Sequence, residues 1–440
     1  MKAKLVLSAI LHSLIISFIA CSFALIRQCP ESLYGIIPLF LFTALFAGAR
    51  IVKPRRAGIC LHGTILLYAC AAGTVLGAVY HIFLGIRMIP TDHMFFVWSL
   101  VMAMGVLLAI FWIGILCVYL TSAQLGFRLR LMGILCGLIP VLNLVVLFFI
   151  LKATTKECLF EMQKDQLNKT RKDQKLCQTK YPILLVHGVF FRDTKFFNYW
   201  GRIPKELEYN GATIFYGNQP SAARVSDCAA QLKERILQIL QETGAEKVNI
   251  IAHSKGGLDC RYAIAKLGIG DRVASLTTVN TPHRGCLFAD YLLTKIPEET
   301  QDTIAETYNN ALRKLGEKDA DFLAAVNDLT DTYCQQLDNE MPVPEGIFCQ
   351  SVGSVLTKAG SGKFPLNFSY HLVKHFSGEN DGLVSEDSFA WGEKYTLLRS
   401  PGEKGISHCD IIDLNREDIP GFDVREFYVG LVNDLKTRGL

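Results

Sequence analysis

The chain has 440 residues, of which half are apolar, and carries a formal net charge of +4 with 14 cysteines. This length allows about two or three structural units. The mild charge and the lack of a basic stripe argue against DNA or RNA, so we expect no nucleic-acid partner. Composition divides the chain near Leu151: up to that residue ten Lys and Arg accompany two acids, whereas the remainder has 35 basic and 39 acidic residues.

Residues 1–151 contain successive apolar runs, each near or above the roughly 20 residues that cross a bilayer as a helix. There are five of them, approximately Leu5–Ile26, Leu33–Val52, Cys60–Ile86, Met94–Leu120 and Leu129–Leu151. None contains a carboxylate; His12, His62 and His81 lie within them, with Asn143 as a further polar residue. Because transport pathways are marked by buried ionisable residues, we interpret this all-α region as an anchor.

The positive charges of the apolar region occupy alternate loops. They lie at Met1–Lys4, Lys53–Arg56 and Arg128–Arg130. By the positive-inside rule this pattern predicts a cytoplasmic N-terminus and, after five crossings, an extracellular C-terminal part, although Lys152 and Lys156 oppose it. We therefore expect a multi-pass protein of the cell membrane. Residues 152–180, rich in Lys, Asp, Gln and Asn, are predicted to be a charged juxtamembrane linker, either a helix or a solvated stalk.

From residue 181 onward, apolar strand patterns alternate with helical ones. The predicted strands are Pro182–Val186, Ala212–Tyr216, Val248–Ala252, Ala274–Val279, Ile347–Val352 and Tyr395–Leu398, and the clearest helices are Arg224–Glu242, Lys255–Leu267 and Asp423–Arg438. Such alternation predicts a mostly parallel, doubly wound sheet with helices on both faces. We expect one α/β domain over residues 181–440.

The segment VNIIAHSKGG carries a serine between an apolar strand and a helical stretch. Ser254 has Ala252 two residues before it and Gly256 two residues after it, which approximates the G-x-S-x-G pattern of a nucleophile elbow. Small residues are needed at these two positions because the serine occupies a sharp turn against neighbouring backbone. The alternative is an ordinary polar turn between a strand and a helix.

A serine nucleophile needs a base, and the base needs an acid that holds its tautomer. In the order nucleophile, acid, base, the turn-rich loop NDG makes Asp381 the preferred acid, with Glu379 as the competitor. His408 follows the last predicted strand and is the preferred base. Oxyanion donors are expected at the backbone N–H groups of Lys255 and Val189, the latter after Gly188 in the loop that follows the first strand.

Taken in order, LVHGVF, NIIAHSKGGLDCRY, LTTVNTPHRGC, NDGLVS and SHCDIID resemble the bacterial triacylglycerol lipases of the α/β-hydrolase fold over residues 180–440. The resemblance implies that Ser254 is the nucleophile, Asp381 the acid and His408 the base, with Val189 and Lys255 as oxyanion donors. It also implies a lid between about residues 290 and 342. A helical cap is the alternative for that insert. Four aromatic residues, Phe190, Phe191, Phe196 and Phe197, are candidates for an acyl pocket.

The resemblance implies no required cofactor. Some members of the family bind a structural calcium through an aspartate two residues after the catalytic histidine, and Asp410 occupies that position here. Residues 363–370 offer no partner acid, so calcium is expected only as a possibility carried by Asp410. No C-x-x-C pair is present, and no disulfide is assigned.

These features predict a membrane-anchored lipase or carboxylesterase that hydrolyses acylglycerol-type lipids through a Ser-Asp-His triad and an acyl-enzyme. A lipid acyltransferase or a phospholipase with the same triad remains an alternative. So does a non-catalytic membrane scaffold with a degenerate hydrolase fold. The expected partners are a lipid ester and the membrane, and the oligomeric state is left open.

Overall fold

The computed structural model describes residues 2–48, 55–137, 139, 141–189, 198–314, 316–317 and 320–440. The chain forms two compact units, Met1–Thr170 and Arg171–Leu440.

The first unit is helical throughout its described residues. Its helices are α1 (Lys2–Ala20), α2 (Phe23–Gln28), α3 (Leu33–Phe46), α4 (Arg55–Met88), α5 (His93–Thr121), α6 (Gly126–Cys136) and α7 (Leu142–Arg171), with a 3-10 turn at Pro30–Ser32. Among the described residues, α1, α4 and α5 are long and apolar enough to cross a membrane. They pack on one another through small residues: a Cβ on Gly63 of α4 would lie 2.7 Å from the carbonyl oxygen of Gly114 on α5.

Three of the five apolar runs form shorter helices than their sequence suggests. The run from Leu5 to Ile26 is divided between α1 and α2. The run from Leu33 to Val52 yields α3, whose 14 residues extend over about 21 Å. The run from Leu129 to Leu151 is divided between α6 and α7, and the 11 residues of α6 extend over only about 16 Å. Both lengths are below the roughly 30 Å of a bilayer core. In this region, the length of an apolar run therefore does not give the length of the helix that it forms.

The predicted linker is largely helical, because α7 continues to Arg171. Its charged residues are not all solvated, since Glu157, Glu161 and Lys164 are buried. The carboxylate of Glu157 accepts hydrogen bonds from Ser122 Oγ at 2.5 Å and from the backbone N–H of Ala123 at 2.8 Å, at the end of α5. The start of this charged segment thus belongs to the helical packing of the first unit.

The second unit is built on a six-stranded, fully parallel sheet of order β2-β1-β3-β4-β5-β6. The strands are β1 (Ile183–Val186), β2 (Ile214–Tyr216), β3 (Val248–His253), β4 (Val273–Val279), β5 (Phe348–Ser354) and β6 (Lys394–Leu398). Each overlaps a predicted strand, which confirms the predicted α/β class with a mostly parallel sheet. The predictions succeed because strands that are buried on both faces consist of short apolar runs.

Helices cover both faces of the sheet. The helices of the second unit are α8 (Ile203–Tyr209), α9 (Val225–Thr243), α10 (Lys255–Lys266), α11 (Leu287–Lys295), α12 (Glu298–Lys314), α13 (Phe322–Asn327), α14 (Asp331–Glu340), α15 (Leu366–Ser377) and α16 (Val424–Thr437). Short 3-10 turns lie at Lys172–Gln174, Gly270–Arg272, Ala359–Ser361 and Glu386–Ser388.

Alternate residues of the central strands supply two apolar cores. Ile183 and Leu185 of β1 pack with α8 and α16, whereas Leu184 and Val186 pack with α9 and α10. This is the period of two that a strand imposes on its side chains. Helices α11–α14 form the long insert between β4 and β5, where the lid or cap is expected. With the sheet held from both sides, the carboxyl ends of the strands form one edge at which polar residues gather.

Candidate active site

Ser254 occupies a strained turn between β3 and α10. Its φ of 54° and ψ of −132° lie in a region that non-glycine residues rarely adopt. The turn is held by backbone, because Ser254 N–H donates to Val279 O at 2.9 Å and Thr281 Oγ1 donates to Ser254 O at 2.9 Å. A Cβ on Gly256 would lie 2.4 Å from the carbonyl oxygen of His187. A small residue two positions after the serine is therefore a steric requirement of this turn.

Asp381 and His408 meet at the same edge of the sheet. His408 Nδ1 donates to Asp381 Oδ2 at 2.6 Å, and His408 N–H donates to Asp381 O at 2.9 Å. Both side chains are buried. The His408 ring centroid lies 4.5 Å from that of His253, the residue that precedes Ser254. The structure thus brings the predicted acid and base together beside the predicted nucleophile's turn.

The Asp381 carboxylate is surrounded by donors. Oδ1 accepts the backbone N–H groups of Leu383 at 2.9 Å and Val384 at 2.8 Å. Oδ2 accepts Asn280 Nδ2 at 2.7 Å in addition to His408. These bonds fix the carboxylate in one orientation, which in turn fixes the imidazole that donates to it.

Asn280 is a residue of the site that sequence reasoning missed. It follows β4 with a φ of 46° and also donates to Ser354 Oγ at 2.8 Å, at the end of β5. Its side chain therefore links three segments that are distant in sequence. The available signal was an asparagine directly after a buried strand, since asparagine adopts positive φ more readily than most residues.

The competing acid lies elsewhere. Glu379 is exposed and accepts two hydrogen bonds from Arg399, at 2.6 and 2.5 Å. This guanidinium holds the pKa of the Glu379 carboxyl below its usual value. The histidines that precede Asp381 in the chain, His371 and His375, are exposed on α15.

A buried chain of hydrogen bonds joins the turn to the loop after β1. Tyr199 Oη accepts the backbone N–H of Gly188 at 3.1 Å and forms a hydrogen bond of 2.7 Å with His253 Nδ1. Burial lowers the pKa of His253 well below its usual value, and neighbouring His408 lowers it further. This direction favours the neutral form of the His253 ring. Tyr199 was not identified from the sequence.

The two predicted oxyanion donors flank the nucleophile's turn. A Cβ on Gly188 would lie 2.7 Å from Ser254 Cβ, so the loop that contains Gly188 and buried Val189 packs directly against the serine. Lys255 is the first residue of α10, where backbone N–H groups are free and the helix dipole favours negative charge. The four aromatic candidates for an acyl pocket, Phe190, Phe191, Phe196 and Phe197, lie outside the described residues.

The side chain of Lys255 points into the protein rather than toward a substrate. Its Nζ donates to Asp259 Oδ1 at 2.7 Å and to Cys228 Sγ at 3.3 Å, and both members of the ion pair are 2% exposed. Burial raises the pKa of Asp259 above its usual value, despite the attraction of Lys255. A paired lysine anchored in this way keeps the backbone of the first turn of α10 in place.

Asp410, the candidate calcium ligand, is engaged by the protein itself. Its Oδ2 accepts Ser407 N–H at 3.2 Å, and its Oδ1 lies 3.7 Å from Lys404 Nζ. Within the described ranges, no group of three or more His, Cys, Asp or Glu residues is arranged to hold a metal ion. The Asp410 carboxylate is thus held by the protein's own groups, and calcium binding at this position stays a prediction.

The insert lies over the loop that carries Asp381. Phe288, Leu292 and Phe322 of α11 and α13 share an apolar cluster with Val384 and Phe389, which follow the acid. The insert therefore contacts the site through side chains close to Asp381. This contact is compatible with either a lid or a cap.

Comparison with known proteins gives a consistent picture. A profile of the alpha/beta hydrolase fold matches residues 181–413. A triacylglycerol lipase of Pseudarthrobacter phenanthrenivorans is 36% identical over 177 residues, which cover 37% of this chain and 54% of that protein. Triacylglycerol lipase 2 of Saccharomyces cerevisiae is 27% identical over 259 residues, covering 55% of this chain and 74% of that protein. The crystal structure of a Bacillus licheniformis lipase in mature form aligns with a TM-score of 0.43 and 22% identity, covering 58% of this chain and 92% of that one. The chain spans about half the length of the first two curated relatives it matches.

Proposed function

Because the chain belongs to the alpha/beta hydrolase fold family, we propose that it is a membrane-anchored serine ester hydrolase that cleaves carboxylic esters of acylglycerol-type lipids. One observation carries this proposal. Asp381 and His408 share a buried hydrogen bond of 2.6 Å next to the strained turn that presents Ser254. The names of the matched lipases support lipid esters as the substrate class.

In the proposed reaction, His408 takes the proton from Ser254 Oγ as the oxygen attacks the ester carbonyl. The C=O π electrons move onto the carbonyl oxygen, giving a tetrahedral intermediate whose negative charge is stabilised by the N–H groups of Val189 and Lys255. Asp381 keeps the His408 tautomer that exposes Nε2 as the base and stabilises the imidazolium that forms.

The intermediate then expels the alcohol, which receives the proton from His408, and an acyl-Ser254 ester remains. Water attacks this ester with His408 again acting as the base. The second tetrahedral intermediate expels Ser254 Oγ, which recovers its proton, and the free fatty acid leaves. Hydrogen-bond donors that are already in position before the substrate binds do not have to reorient while the negative charge develops on the oxygen.

The direct test combines hydrolysis with covalent labelling of the full-length chain in detergent micelles. We expect turnover of p-nitrophenyl esters, and a fluorophosphonate should form a covalent adduct on the peptide that contains Ser254, with loss of fluoride. Mass spectrometry of the digested protein identifies the labelled peptide. No turnover together with no adduct would refute the enzymatic proposal in favour of a scaffold.

The same preparation separates the possible reactions at this site. With a triacylglycerol substrate we expect free fatty acid as the main product even when an acceptor alcohol is present. Predominant ester formation with the alcohol would instead identify an acyltransferase. Release of fatty acid from phosphatidylcholine but not from triacylglycerol would identify a phospholipase.

The proposed location is the cell membrane, with the hydrolase unit outside the cell. Three helices that are long and apolar enough to cross a bilayer support attachment to a membrane. The positive-inside rule supports the outward orientation when α3 and the α6–α7 segment cross as well, because the basic loops then alternate with loops of little net charge.

Protease accessibility tests this orientation. In intact cells that express the chain with a C-terminal epitope tag, added protease should remove the tag. A cytoplasmic marker protein in the same cells should stay intact and should be cleaved only after permeabilisation. A tag that is protected until permeabilisation would show that the hydrolase unit is cytoplasmic.

A further inference from the structure

Helix α15 and the segment just before it expose three phenylalanines to solvent. Phe364 is 80% exposed, Phe368 71% and Phe376 64%. In the described part of the second unit the next most exposed large apolar side chain is Tyr209, at 43%. The three side chains are concentrated on and beside one 12-residue helix. Contiguous exposed apolar side chains of this kind are unusual on a protein surface that contacts only water.

The opposite side of α15 is buried, so the helix has two distinct faces. Leu366, Ser369, Tyr370 and Val373, at helical spacing, point inward. Phe364 and Phe368 pack edge to face with ring centroids 5.9 Å apart, and Phe376, at the end of the helix, packs edge to face on His375 at 4.9 Å. We call Phe364, Phe368 and Phe376 the aromatic face of α15.

Basic side chains flank the aromatic face, and acids outside the helix, including Glu379, lie close to them. Residues 355–378 contain Lys358, Lys363 and Lys374 and no Asp or Glu. Lys358 and Lys363 pair with Glu403 and Glu417 from a later loop, whereas the ammonium of Lys374 lies 3.3 Å from Tyr370 Oη. Exposed aromatic rings beside basic side chains are the composition of helices that lie in a membrane interface.

The inward side of α15 holds the loop of the proposed catalytic acid. Ser369 Oγ donates to Gly382 O, and Asn380 Nδ2 donates to Tyr370 O at 3.4 Å. A Cβ on Gly382 would lie 2.9 Å from Leu366 Cβ, so the loop and the helix are in close contact. One helix therefore separates the aromatic face from the segment that contains Asp381.

We propose that the aromatic face of α15 docks on a lipid bilayer, with its rings among the lipid chains near the headgroups and Lys374 beside anionic headgroups. A bilayer fits this surface better than a second copy of the chain. A bilayer is also a surface that this chain is expected to meet, because α1, α4 and α5 are long and apolar enough to cross one. The proposal concerns binding and does not depend on the proposed catalytic chemistry.

Fluorescence of a tryptophan placed on the face tests the proposal. Phe368→Trp is introduced into the full chain, which is reconstituted into vesicles of phosphatidylcholine with a minor fraction of phosphatidylglycerol. The matched control is Leu237→Trp, because Leu237 is also exposed but lies on α9. The signal of the parent chain, with its four native tryptophans, is subtracted from each.

We expect lipids brominated on their acyl chains to quench the added tryptophan at position 368 and to leave that at position 237 unchanged. Aqueous iodide should have the reverse effect. Quenching at position 368 by iodide alone would overturn the proposal. So would shielding from both quenchers, which would mean that protein, from this chain or a second copy, covers the face.

Activity provides a second and separable readout. Replacing Phe364, Phe368 and Phe376 together by serine should lower the hydrolysis of bilayer lipid by about tenfold or more and leave hydrolysis of a soluble short-chain ester unchanged. Equal loss on both substrates would argue against docking. If the parent cleaves neither substrate, the proposed function fails, and fluorescence still decides the docking proposal.

Discussion

Replacement of Ser254 by alanine is expected to lower kcat for ester hydrolysis by about a million-fold, with little change in KM. Alanine removes the oxygen that forms the acyl-enzyme, so the proposed covalent route is closed. Binding of substrate is unaffected because the hydroxyl contributes little to it. The measurement is p-nitrophenyl ester hydrolysis at saturating substrate, with fluorophosphonate labelling as the second readout.

The strain at this position supplies a control. Ser254 adopts a φ of 54°, which glycine adopts without the steric cost that a Cβ causes. We therefore expect Ser254→Gly to be as inactive as Ser254→Ala but more stable, by about 1 kcal/mol in the free energy of unfolding. Thermal unfolding of both variants checks this difference. Activity in the alanine variant close to that of the parent would refute the role of Ser254.

Asp381→Asn should lower kcat by about ten-thousand-fold while the fold is retained. An amide cannot serve as an anionic acceptor for His408 Nδ1–H, which it meets at 2.6 Å in the parent. Either the imidazole takes the wrong tautomer or the amide turns its NH2 group toward backbone N–H groups that also donate. The pH profile of kcat/KM and the circular dichroism spectrum of the variant are the measurements.

The matched control exchanges the competing carboxylate in the same way. Glu379→Gln should leave kcat within about twofold of the parent, because Glu379 is exposed and contacts Arg399 at the surface. A large loss in Glu379→Gln with little effect in Asp381→Asn would reverse the assignment of the acid.

Much of the second unit could be predicted because its signals are local. The apolar runs that become β1 and β3 are buried on both faces, and the small residues around Ser254 form a short local pattern. The contact that excludes a Cβ at Gly256 comes from His187, which lies in a distant part of the chain. The choice of Asp381 over Glu379 followed from chain order and turn residues. The structure adds a physical reason, since Glu379 lies outside with Arg399.

Other contacts of the site depend on the tertiary fold and leave at most a weak local signal, such as the asparagine directly after β4. Asn280 reaches Asp381, which is 101 positions away, and Tyr199 reaches His253 across 54 positions. Nothing in the spacing of these residues distinguishes them from ordinary polar residues at strand ends. Only the parallel sheet, which aligns the ends of β3, β4 and β5, brings such residues together.

In the helical first unit, hydropathy alone was not sufficient to place the ends of the helices. Hydropathy alone treated residues 129–151 as one span, yet α6 ends at Cys136 and α7 begins at Leu142. The sequence between them contains Gly137 and Pro140, and a proline in an apolar run interrupts helix hydrogen bonding. Apolar length and helix-breaking residues have to be weighed together when spans are counted.

The neighbouring imidazoles of His253 and His408 have a consequence for the movement of protons. Their ring centroids are 4.5 Å apart, and burial lowers the pKa of His253 well below its usual value. Its Nδ1 is already occupied by the hydroxyl of Tyr199. In the proposed reaction, a proton on His408 would therefore not be transferred to the ring of His253. It can return to Ser254 or pass to the departing alcohol, so the pair of rings carries one charge at a time and the proton stays on the reaction path.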